Sequence, residues 1–515
     1  MFKITLRQFL VALAFLATSA VATAQSWPPT GMQGSGDSIS PWQITTAEEL
    51  KALAVFVNSA IGPSIDGTCF KLMNNIDLSG YDWNPIGDNS ICGSMRCADF
   101  EGNFDGNGYV VQNLTTNRGT NYYAGLFGVL VGNATIVNLG IVNCNVRGSC
   151  YVGGLAGYAY PRSGNITISN CYATGNISGA YNVGGLVGNN YKGSTISNCY
   201  ATCNVRGGND YVGGLVGSND GTISNCYATG NVRGYTYVGG LVGYSFGGAI
   251  RNCVTANDSV LSNTNDINRI VGYDIGSILI QNNYALNTMV VQNSNGNISI
   301  TPDLNTKAGM DIPMSDLQSL SFYATASNWH NNQAWDLDTW KICDGQDLPF
   351  LRWQGIDCYY DITATAGVNG TINPSGTVTV EEGNSQTFTF SPNNGYEIDE
   401  VLIDGTNNPA AVLSGDYTFE NITANHSIAV SFRMETGVVE TLHETSLQIY
   451  PNPAFTQLYV KHFLRETVNY TIYNVVGQTI LQGKLQDDSA INIESLASGM
   501  YYLKVAGKTV KFVKN

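Results

Sequence analysis

The central part of the chain alternates apolar side chains with small or polar ones in short runs, and Gly or Asn separates the runs. A period of two is typical of β-strands, and no repeat unit has the three- and four-residue apolar spacing of a helix. One phrase, Val-Gly-Gly-Leu-x-Gly, recurs at intervals of about 26 to 31 residues, which indicates a solenoid. The phrase occupies Val152–Gly157, Val183–Gly188, Val212–Gly217 and Val238–Gly243, with a degenerate copy at Ala124–Gly128.

A second phrase, Ile-x-Asn-Cys, accompanies the first and predicts which residues face each other in neighbouring coils. It occupies Ile141–Cys144, Ile168–Cys171, Ile196–Cys199, Ile223–Cys226 and Ile250–Cys253. We expect a right-handed parallel β-helix whose coils stack about 4.8 Å apart. Its isoleucines would form an aliphatic ladder inside, and its asparagines a hydrogen-bonded amide ladder.

The cysteines of this phrase are Cys144, Cys171, Cys199, Cys226 and Cys253. Equivalent residues of stacked coils lie in a line and do not converge, which disfavours a tetrahedral metal site. Disulfides between coils would need Cβ atoms about 3.8 Å apart, closer than stacked strands bring them. We therefore expect buried free thiols that pack as small apolar side chains.

The ends of the chain differ from the repeats. Lys3, Arg7 and the apolar run from Phe9 to Ala17 predict a signal peptide over residues 1–24, cleaved between Ala24 and Gln25. The solenoid would then span residues 25–358. Alternating strands and turns predict a small antiparallel β domain over 359–434, a linker over 435–445 and a β-sandwich over 446–515, so the whole chain is all-β.

Composition limits the partners. Charged residues make up 12% of the chain and the formal net charge is −15, which argues against nucleic acid and anionic membrane surfaces as partners. No stretch after the signal peptide predicts a transmembrane segment. Twelve Cys residues in an exported chain favour disulfides, for which Cys92 with Cys97 and Cys343 with Cys358 are the candidates. Cys69, Cys150 and Cys203 have no evident partner.

The repeat words resemble the GLUG motif, which occurs in large exported bacterial proteins such as adhesin-like proteins and the non-catalytic part of some IgA proteases. The resemblance extends from an opening segment to a closing segment, and it implies a β-helix on the cell surface without implying one activity. The matching stretches are Gly34–Ala54, Phe70–Gly87, Phe100–Leu114, Asn268–Tyr273, Asn282–Val291 and Trp340–Gln354. The stretch from Tyr359 to Phe432 resembles the divergent B-repeat of internalin-like surface proteins, which implies a spacer.

The last segment resembles the C-terminal sorting domain of the type IX secretion system. The residues that carry this resemblance are Tyr450, Pro451, Asn452, Pro453, Gly477, Gln478, Gly499 and Tyr501. The resemblance implies that the secretion machinery is a partner and that the host belongs to the Bacteroidota. It also implies a protein that is secreted or attached to the outer surface of a Gram-negative cell.

Candidate chemistry is sparse. Asp99, Glu101 and Asp105 are the one acidic cluster of the early coils, and Asp105-Gly106-Asn107-Gly108 predicts a tight hairpin in preference to a Ca²⁺ site. We expect no catalytic residue, no metal and no cofactor. Two groups of residues follow the repeat and would project from it. They are the tyrosines Tyr158, Tyr160, Tyr191 and Tyr244, and a sparse column of corner residues, Arg147, Arg206 and Arg233.

The sequence therefore predicts an adhesin-like surface protein that binds an unknown host or surface ligand, either glycan or protein. Two alternatives remain open. One is a carbohydrate-active β-helix enzyme of the polysaccharide lyase or glycosidase type, and the other is a purely structural surface component.

Overall fold

The computed structural model describes residues 27–59, 64–89, 98–117, 119, 122–276, 278–435, 447–461, 467–486 and 489–515. Residues 42–312 form a parallel β-solenoid, which confirms the predicted fold class. Four sheets run along it, here called A, B, C and D in the order in which one coil visits them. The strands pair in parallel with the equivalent strands of neighbouring coils, as at Ile196↔Ile223, except for the antiparallel pair Val290–Asn293 with Gly296–Asn297.

The four sheets have the following strands. Sheet A contains Trp42–Ile44, Cys69–Leu72, Asn103–Asp105, Thr135–Val137, Ile166–Ser169, Ser194–Ser197, Thr222–Ser224, Ala249–Arg251 and Leu279–Gln281. Sheet B contains Ile76–Asp77, Val110–Gln112, Thr115–Asn117, Gly140–Arg147, Tyr172–Gly179, Tyr200–Ala201, Asn204–Gly207, Tyr227–Ala228, Val232–Arg233, Val254–Thr255, Ser259–Leu261, Tyr284–Leu286, Val290–Asn293, Gly296–Asn297 and Met310–Ile312. Sheet C contains Tyr122–Ala124, Cys150–Val152, Tyr181–Gly184, Asp210–Gly213, Thr236–Gly239 and Ile267–Asn268. Sheet D contains Phe127–Leu130, Ala156–Ala159, Val187–Asn190, Val216–Asn219, Val242–Ser245 and Val271–Asp274.

The aliphatic ladder lies inside the solenoid as predicted. Ile168, Ile196, Ile223 and Ile250 are in register in sheet A and are fully buried. The column continues towards the N-terminus through Ile136 and Phe104. Because each coil presents an apolar side chain at the same place, removal of this surface from water stabilises the whole stack.

The asparagines that follow sheet A turn the chain into sheet B. Asn138, Asn170, Asn198, Asn225, Asn252 and Asn282 all have φ between 51° and 58°, a left-handed conformation that Asn tolerates better than most residues. Some of their amides bond from coil to coil, since Asn170 Nδ2 donates to Asn138 Oδ1 (3.1 Å) and Asn225 Nδ2 to Asn198 Oδ1 (3.4 Å). The amide ladder is therefore present in part.

Four of the five cysteines predicted for the ladder form one column, and Cys144 lies outside it. Cys171, Cys199, Cys226 and Cys253 follow the corner asparagines, are buried and are free thiols. Cys144 does not belong with them, because the corner of its coil is Asn138-Leu139 and Cys144 is in register with Gly175. The phrase at Ile141–Cys144 was thus aligned wrongly from the sequence, since it lies inside the sheet B strand Gly140–Arg147 and not at the corner after sheet A.

The acidic turn at Asp105 is a corner and not the predicted hairpin, because the strands on either side of it belong to different sheets. Asp105 Oδ1 accepts hydrogen bonds from the backbone N–H of Asn107 (2.8 Å) and from Asn138 Nδ2 (3.1 Å). Asn107 and Gly108 have φ of 54° and 79°, which explains the Asn-Gly pair.

The opening segment contains a helix, Ala47–Val57, that the strand pattern did not predict. Thr46 and Glu49 form a capping box at its N-terminus. Its buried side chains, among them Leu50 and Leu53, join the solenoid core.

The closing segment, residues 314–354, does not close the end of the solenoid but returns along its side. We call it the return segment. It contains the helices Met314–Leu317 and Leu320–Ala324, the short 3-10 helices Ala326–Asn328, His330–Asn332 and Arg352–Gln354, and an antiparallel pair, Trp340–Lys341 with Phe350–Leu351. A disulfide joins Cys343 in this segment to Cys358. The candidate pair Cys92 and Cys97 and the cleavage site Ala24–Gln25 lie outside the described residues.

Contacts of the return segment visit the coils in reverse order. Tyr284 Oη donates to Asn328 O (2.9 Å), Trp335 Nε1 to Asn252 O (3.2 Å), and Trp353 Nε1 to Asn170 O (3.2 Å). The segment covers a stacked column of tyrosines, Tyr172, Tyr200 and Tyr227, whose ring centroids are 4.8 and 4.7 Å apart. One lateral face of the solenoid is therefore occupied by the chain itself.

Two further groups of sheets follow the solenoid. A five-stranded sheet has the order Gly376–Glu381, Tyr359–Ala366, His426–Met434, Tyr396–Ile403, Thr406–Asn407. A three-stranded sheet has the order Gly370–Asn373, Gln386–Pro392, Asp416–Phe419. The helix Pro409–Ser414 lies between two of these strands in the chain. The pairing is mostly antiparallel, but Tyr359–Ala366 and His426–Met434 pair in parallel. The last residues form two antiparallel sheets. The first has the order Gln448–Tyr450, Gln457–Lys461, Ala490–Asn492, and the second has the order Thr479–Leu485, Val468–Asn474, Gly499–Val505, Lys508–Lys514.

We predict that Ile223→Ala lowers the free energy of unfolding of the solenoid by about 2–5 kcal/mol, because it leaves a cavity in a fully buried column. Urea unfolding monitored by circular dichroism measures this change. Thr222→Ala is the matched control, because Thr222 is half-buried and Ala249 fills the same register position in the next coil. An equal loss in both variants would contradict the ladder.

We also predict that the thiol ladder resists alkylation in the folded protein. Burial raises the pKa of the Cys171, Cys199 and Cys226 thiols well above the usual value, so the reactive thiolate is disfavoured. Iodoacetamide should modify the half-exposed Cys69 and Cys150 first, as read by peptide mass spectrometry. Denaturant should release the ladder for modification. Labelling of the ladder at the rate of Cys69 in the folded chain would contradict its burial.

Candidate ligand-binding face

Aromatic side chains gather on the outer surface where sheets C and D meet, and we call this surface the tyrosine face. Three positions of the repeat contribute to it. The first position precedes the Val-Gly-Gly phrase and the second lies in sheet D, while the third follows sheet D. The aromatic residues at the first position are Tyr123, Tyr151, Tyr211 and Tyr237. Those at the second position are Tyr158, Tyr244 and Tyr273, and those at the third position are Tyr160, Tyr191 and Phe246.

The rings form two clusters along the solenoid axis. In the first cluster, Tyr151 stacks on Tyr158 with ring centroids 4.9 Å apart and on Tyr123 at 5.2 Å. Tyr158 stacks on Tyr160 at 5.2 Å, and Tyr160 meets Tyr191 edge to face at 5.0 Å. These offset and edge-to-face arrangements are the favoured geometries of aromatic pairs.

The second cluster lies further along the axis. Tyr211 stacks on Tyr237 with centroids 5.5 Å apart, and Tyr244 contacts Tyr211 (4.9 Å), Phe246 (4.5 Å) and Tyr273 (5.8 Å). Polar residues interrupt the columns between the clusters. These are Asn182 in the first position, Asn189 and Ser218 in the second, and Asp220 in the third.

Local sequence explains how the rings reach this surface. Tyr123, Tyr151, Tyr211 and Tyr237 have φ between 53° and 66°, and the interrupting Asn182 has the same conformation at 53°. The glycines of the repeat let the two sheets approach each other. A Cβ at Gly188 would lie 2.5 Å from the backbone N of Val152, so the outer sides of sheets C and D meet here in a crease. The rings of both sheets stack over that crease.

The hydroxyl groups of this face are available. None of its tyrosine hydroxyls has a hydrogen-bond partner among the described residues, whereas Tyr200 and Tyr227 under the return segment bond Gln354 and the Pro349 carbonyl. The rings are mostly half-buried against each other, and Tyr191 and Phe246 are exposed. Burial raises the pKa of the Tyr123, Tyr151, Tyr158, Tyr211 and Tyr244 phenols, so they stay neutral donors at physiological pH.

The sequence pattern found this face in part. It singled out Tyr158, Tyr160, Tyr191 and Tyr244, and the structure unites the first three and sets Tyr244 in the second cluster. It missed the position before Val-Gly-Gly, although a Tyr there in several copies was the available signal. That position points outward only because its backbone adopts positive φ.

The acidic residues of the early coils are engaged with other side chains. Asp99 is buried and forms an ion pair with Arg162, and burial raises the pKa of its carboxyl in spite of that cation. Asp105 pairs with Lys71 at 3.6 Å. Among the described residues, no three His, Cys, Asp or Glu side chains gather in an arrangement that could hold a metal ion.

The residues singled out near the C-terminus serve turns and sheet edges. Asn452 Oδ1 accepts a hydrogen bond from the backbone N–H of Val513 (2.9 Å), and Tyr501 Oη donates to Ala497 O (3.0 Å). The ring of Tyr450, which precedes Pro451, stacks on Tyr459 at 5.4 Å. Gly477 (φ 79°) and Gln478 form the turn after Asn474, while Pro453 precedes the buried Ala454 and Gly499 starts a strand.

In the part of the chain that the structure describes, no helix combines the length and apolar character needed to cross a membrane.

Comparisons with known proteins agree with this architecture. The GLUG motif matches residues 148–178, 179–206, 208–233 and 234–260, and the secretion system C-terminal sorting domain matches residues 448–515. A solved chain from Bacteroides ovatus, described as a "putative immunoglobulin A1 protease", superposes with a TM-score of 0.51 at 25% identity over 62% of this chain and 94% of that one.

Two curated proteins match parts of the chain. Halomucin of Haloquadratum walsbyi is 33% identical over 159 residues, 30% of this chain, and a "Putative Gly-rich membrane protein" of Evansella cellulosilytica is 30% identical over 197 residues, 32% of this chain. The chain spans 2% and 21% of the length of these relatives.

The sorting domain implies interaction with the type IX secretion machinery. The chain thus carries GLUG repeats on a parallel β-solenoid and a type IX C-terminal sorting domain, and it is a secreted cell-surface protein of the Bacteroidota.

Proposed function

We propose that this protein is an adhesin-like binding protein and that the tyrosine face is its ligand-binding surface. The observation that carries the proposal is a pair of stacked aromatic clusters on the outer surface whose tyrosine hydroxyl groups have no partner among the described residues. Tyrosine combines a large apolar contact area with a hydrogen-bonding tip and loses little conformational entropy on binding. It is therefore enriched among the residues that dominate binding energy.

The face suits an extended ligand. From Tyr123 to Tyr273 it crosses five coil-to-coil steps, which is about 24 Å at the spacing of β-strands. The rings are fixed by strand backbone and by their mutual stacking, so they are pre-organised for binding. A glycan whose sugar faces stack on the two clusters, or a protein segment with apolar anchors, would bridge the polar gap at Asn189 and Ser218.

Binding is better supported than catalysis. A lyase or glycosidase needs paired carboxylates or a base with an acid nearby. From residue 119 to residue 257 the sequence contains no Glu or His and two acidic residues, Asp210 and Asp220. The description of the Bacteroides ovatus structure as a putative protease applies to that protein only. A purely structural role would leave the exposed aromatic clusters without a function.

We also infer that residues 359–434, which lie between the solenoid and residues 446–515 along the chain, serve as a spacer. Their sheets carry mostly exposed polar residues on the outer strand faces, as the alternating burial of Tyr359–Ala366 illustrates. This composition suits a spacer better than a second binding surface.

We predict that Tyr151→Asn with Tyr158→Asn weakens ligand binding more than tenfold, because truncation of a hot-spot aromatic costs about 2 kcal/mol or more. Both asparagines already occur at these positions in the next coil, as Asn182 and Asn189, so the fold should tolerate the change. The full chain is applied to an array of host and microbial glycans and matrix proteins, and retention and reaction products are recorded by mass spectrometry.

The matched control is Tyr235→Asn with Tyr359→Asn, since these tyrosines are about half exposed but lie off the face. Asn182→Tyr with Asn189→Tyr would join the two clusters and should tighten binding. Retention that the Tyr151 and Tyr158 variant leaves intact would refute this location for the site. A cleaved product would replace the binding proposal with the enzyme alternative.

A further inference from the structure

A second outward surface, on sheet B, differs from the tyrosine face in its chemistry. Sheet B strands of successive coils carry the pattern Asn-Val-Arg or Asn-Ile-Ser, in which the middle residue is buried and the outer two face solvent. Ser178 is in register with Arg147 on one side and with Arg206 on the other, and Arg206 is in register with Arg233. The three arginines therefore form one column, with an asparagine column beside it.

The asparagine column consists of Asn145, Asn176, Asn204 and Asn231, all of them exposed. Its amides can donate and accept hydrogen bonds along the whole arginine column.

The guanidinium groups of the arginine column have no partner in the part of the chain that the structure describes. Arg147, Arg206 and Arg233 are exposed, and none forms an ion pair or a side-chain hydrogen bond with another described residue. Arg206 and Arg233 lie on adjacent strands about 4.8 Å apart, where like charges repel. An anion that bridges the two guanidinium groups would remove this repulsion and form charge-assisted hydrogen bonds.

The local charge is opposite to that of the whole chain. Residues 119–257 contain six Lys or Arg and two Asp, a net charge of +4, whereas the complete chain has −15. Arg162 is paired with Asp99, which lies outside this range, and counting that partner leaves six basic against three acidic residues, so the surface of the middle coils is cationic by +3 although the chain is acidic overall. Field lines from such a surface attract anions locally while the rest of the chain repels them.

Two grooves lie along the arginine column. A groove of about 840 Å³ is lined by Arg147, Arg206, Asn117 and Asn145 among others, and a smaller one of about 200 Å³ is lined by Arg233, Asn263 and Gln292. Both grooves are on the sheet B surface, away from the crease where sheets C and D meet.

We propose that this column binds an anionic polysaccharide laid along the solenoid axis, with its carboxylate or sulfate groups on the guanidinium groups. The arginines span three coil steps, about 14 Å, with one charge at each end and one between. Double-stranded DNA carries one charge per about 1.7 Å, far denser than this column, so a polysaccharide that is less densely charged than DNA fits better. The asparagine amides beside the column suit the hydroxyl groups of sugars.

The test measures binding of the full chain to polygalacturonate, which carries carboxylates, to heparin, which carries sulfates, and to neutral dextran and double-stranded DNA. We expect binding to polygalacturonate or heparin that weakens as salt rises, and no binding to dextran. The preferred polyanion identifies the anionic group. Failure to bind either polyanion at low salt, or tighter binding to DNA, would overturn the proposal.

Variants assign the binding to the column. Arg147→Gln, Arg206→Gln and Arg233→Gln together should lower affinity roughly tenfold. The matched control is Lys192→Gln, Lys484→Gln and Lys504→Gln, which removes the same charge from exposed positions elsewhere. Equal loss in both variants would reduce the effect to net charge and overturn the site. Ser178→Arg fills the gap in the column and should tighten binding severalfold, so the proposal stays testable if the triple variant fails to fold.

The tyrosine face is distinguished from the arginine column by a further variant. Tyr151→Asn with Tyr158→Asn should leave polyanion binding unchanged. A loss of polyanion binding in that variant would instead move the anionic ligand to the tyrosine face and refute the column as its site.

Discussion

The structure depends on the parallel hydrogen bonds that hold successive coils in register about 4.8 Å apart. Once the register is fixed, every residue of one coil has a defined neighbour in the next. Matching side chains then stack in columns, as Ile196 does with Ile223 inside and Tyr200 does with Tyr227 outside. A low content of charged residues follows from the same constraint, because like charges one coil apart repel.

Stacking has different results on the different faces. Inside, isoleucines and cysteines exclude water and hold the coils together. Outside, the tyrosine column of sheet B is covered by the return segment, with Trp353 donating to the Asn170 carbonyl. The tyrosine face at the crease between sheets C and D has no such cover in the described part of the chain. Similar residues therefore serve stability on one side, and on the other side they form the surface that we propose for ligand binding.

Positive φ values link the sequence to these surfaces. At the corner after sheet A, asparagine adopts the left-handed conformation and turns the chain. At the position before Val-Gly-Gly, tyrosine adopts it and projects its ring over the crease, where it meets a ring from sheet D of the same coil, as Tyr151 meets Tyr158, or of the next coil, as Tyr211 meets Tyr244. Glycines such as Gly188 allow the close approach, since a Cβ there would lie 2.5 Å from the backbone N of Val152. The conformational cost of left-handed tyrosines is offset by ring stacking along the column.

The sequence by itself determined the parallel solenoid, the isoleucine ladder and the buried thiols, because alternation, turn residues and repeated words are local signals. The sorting domain was recognised from its resemblance to a known family. Tertiary structure decided what depends on register between coils of unequal length. It set Cys144 opposite Gly175 and not in the thiol ladder, and it sent the return segment back along sheet B. It also joined Tyr151 to Tyr158 and aligned Arg206 with Arg233. Since the repeat length varies from about 26 to 31 residues, such neighbours could not be counted along the chain and required the hydrogen-bonded register to be known.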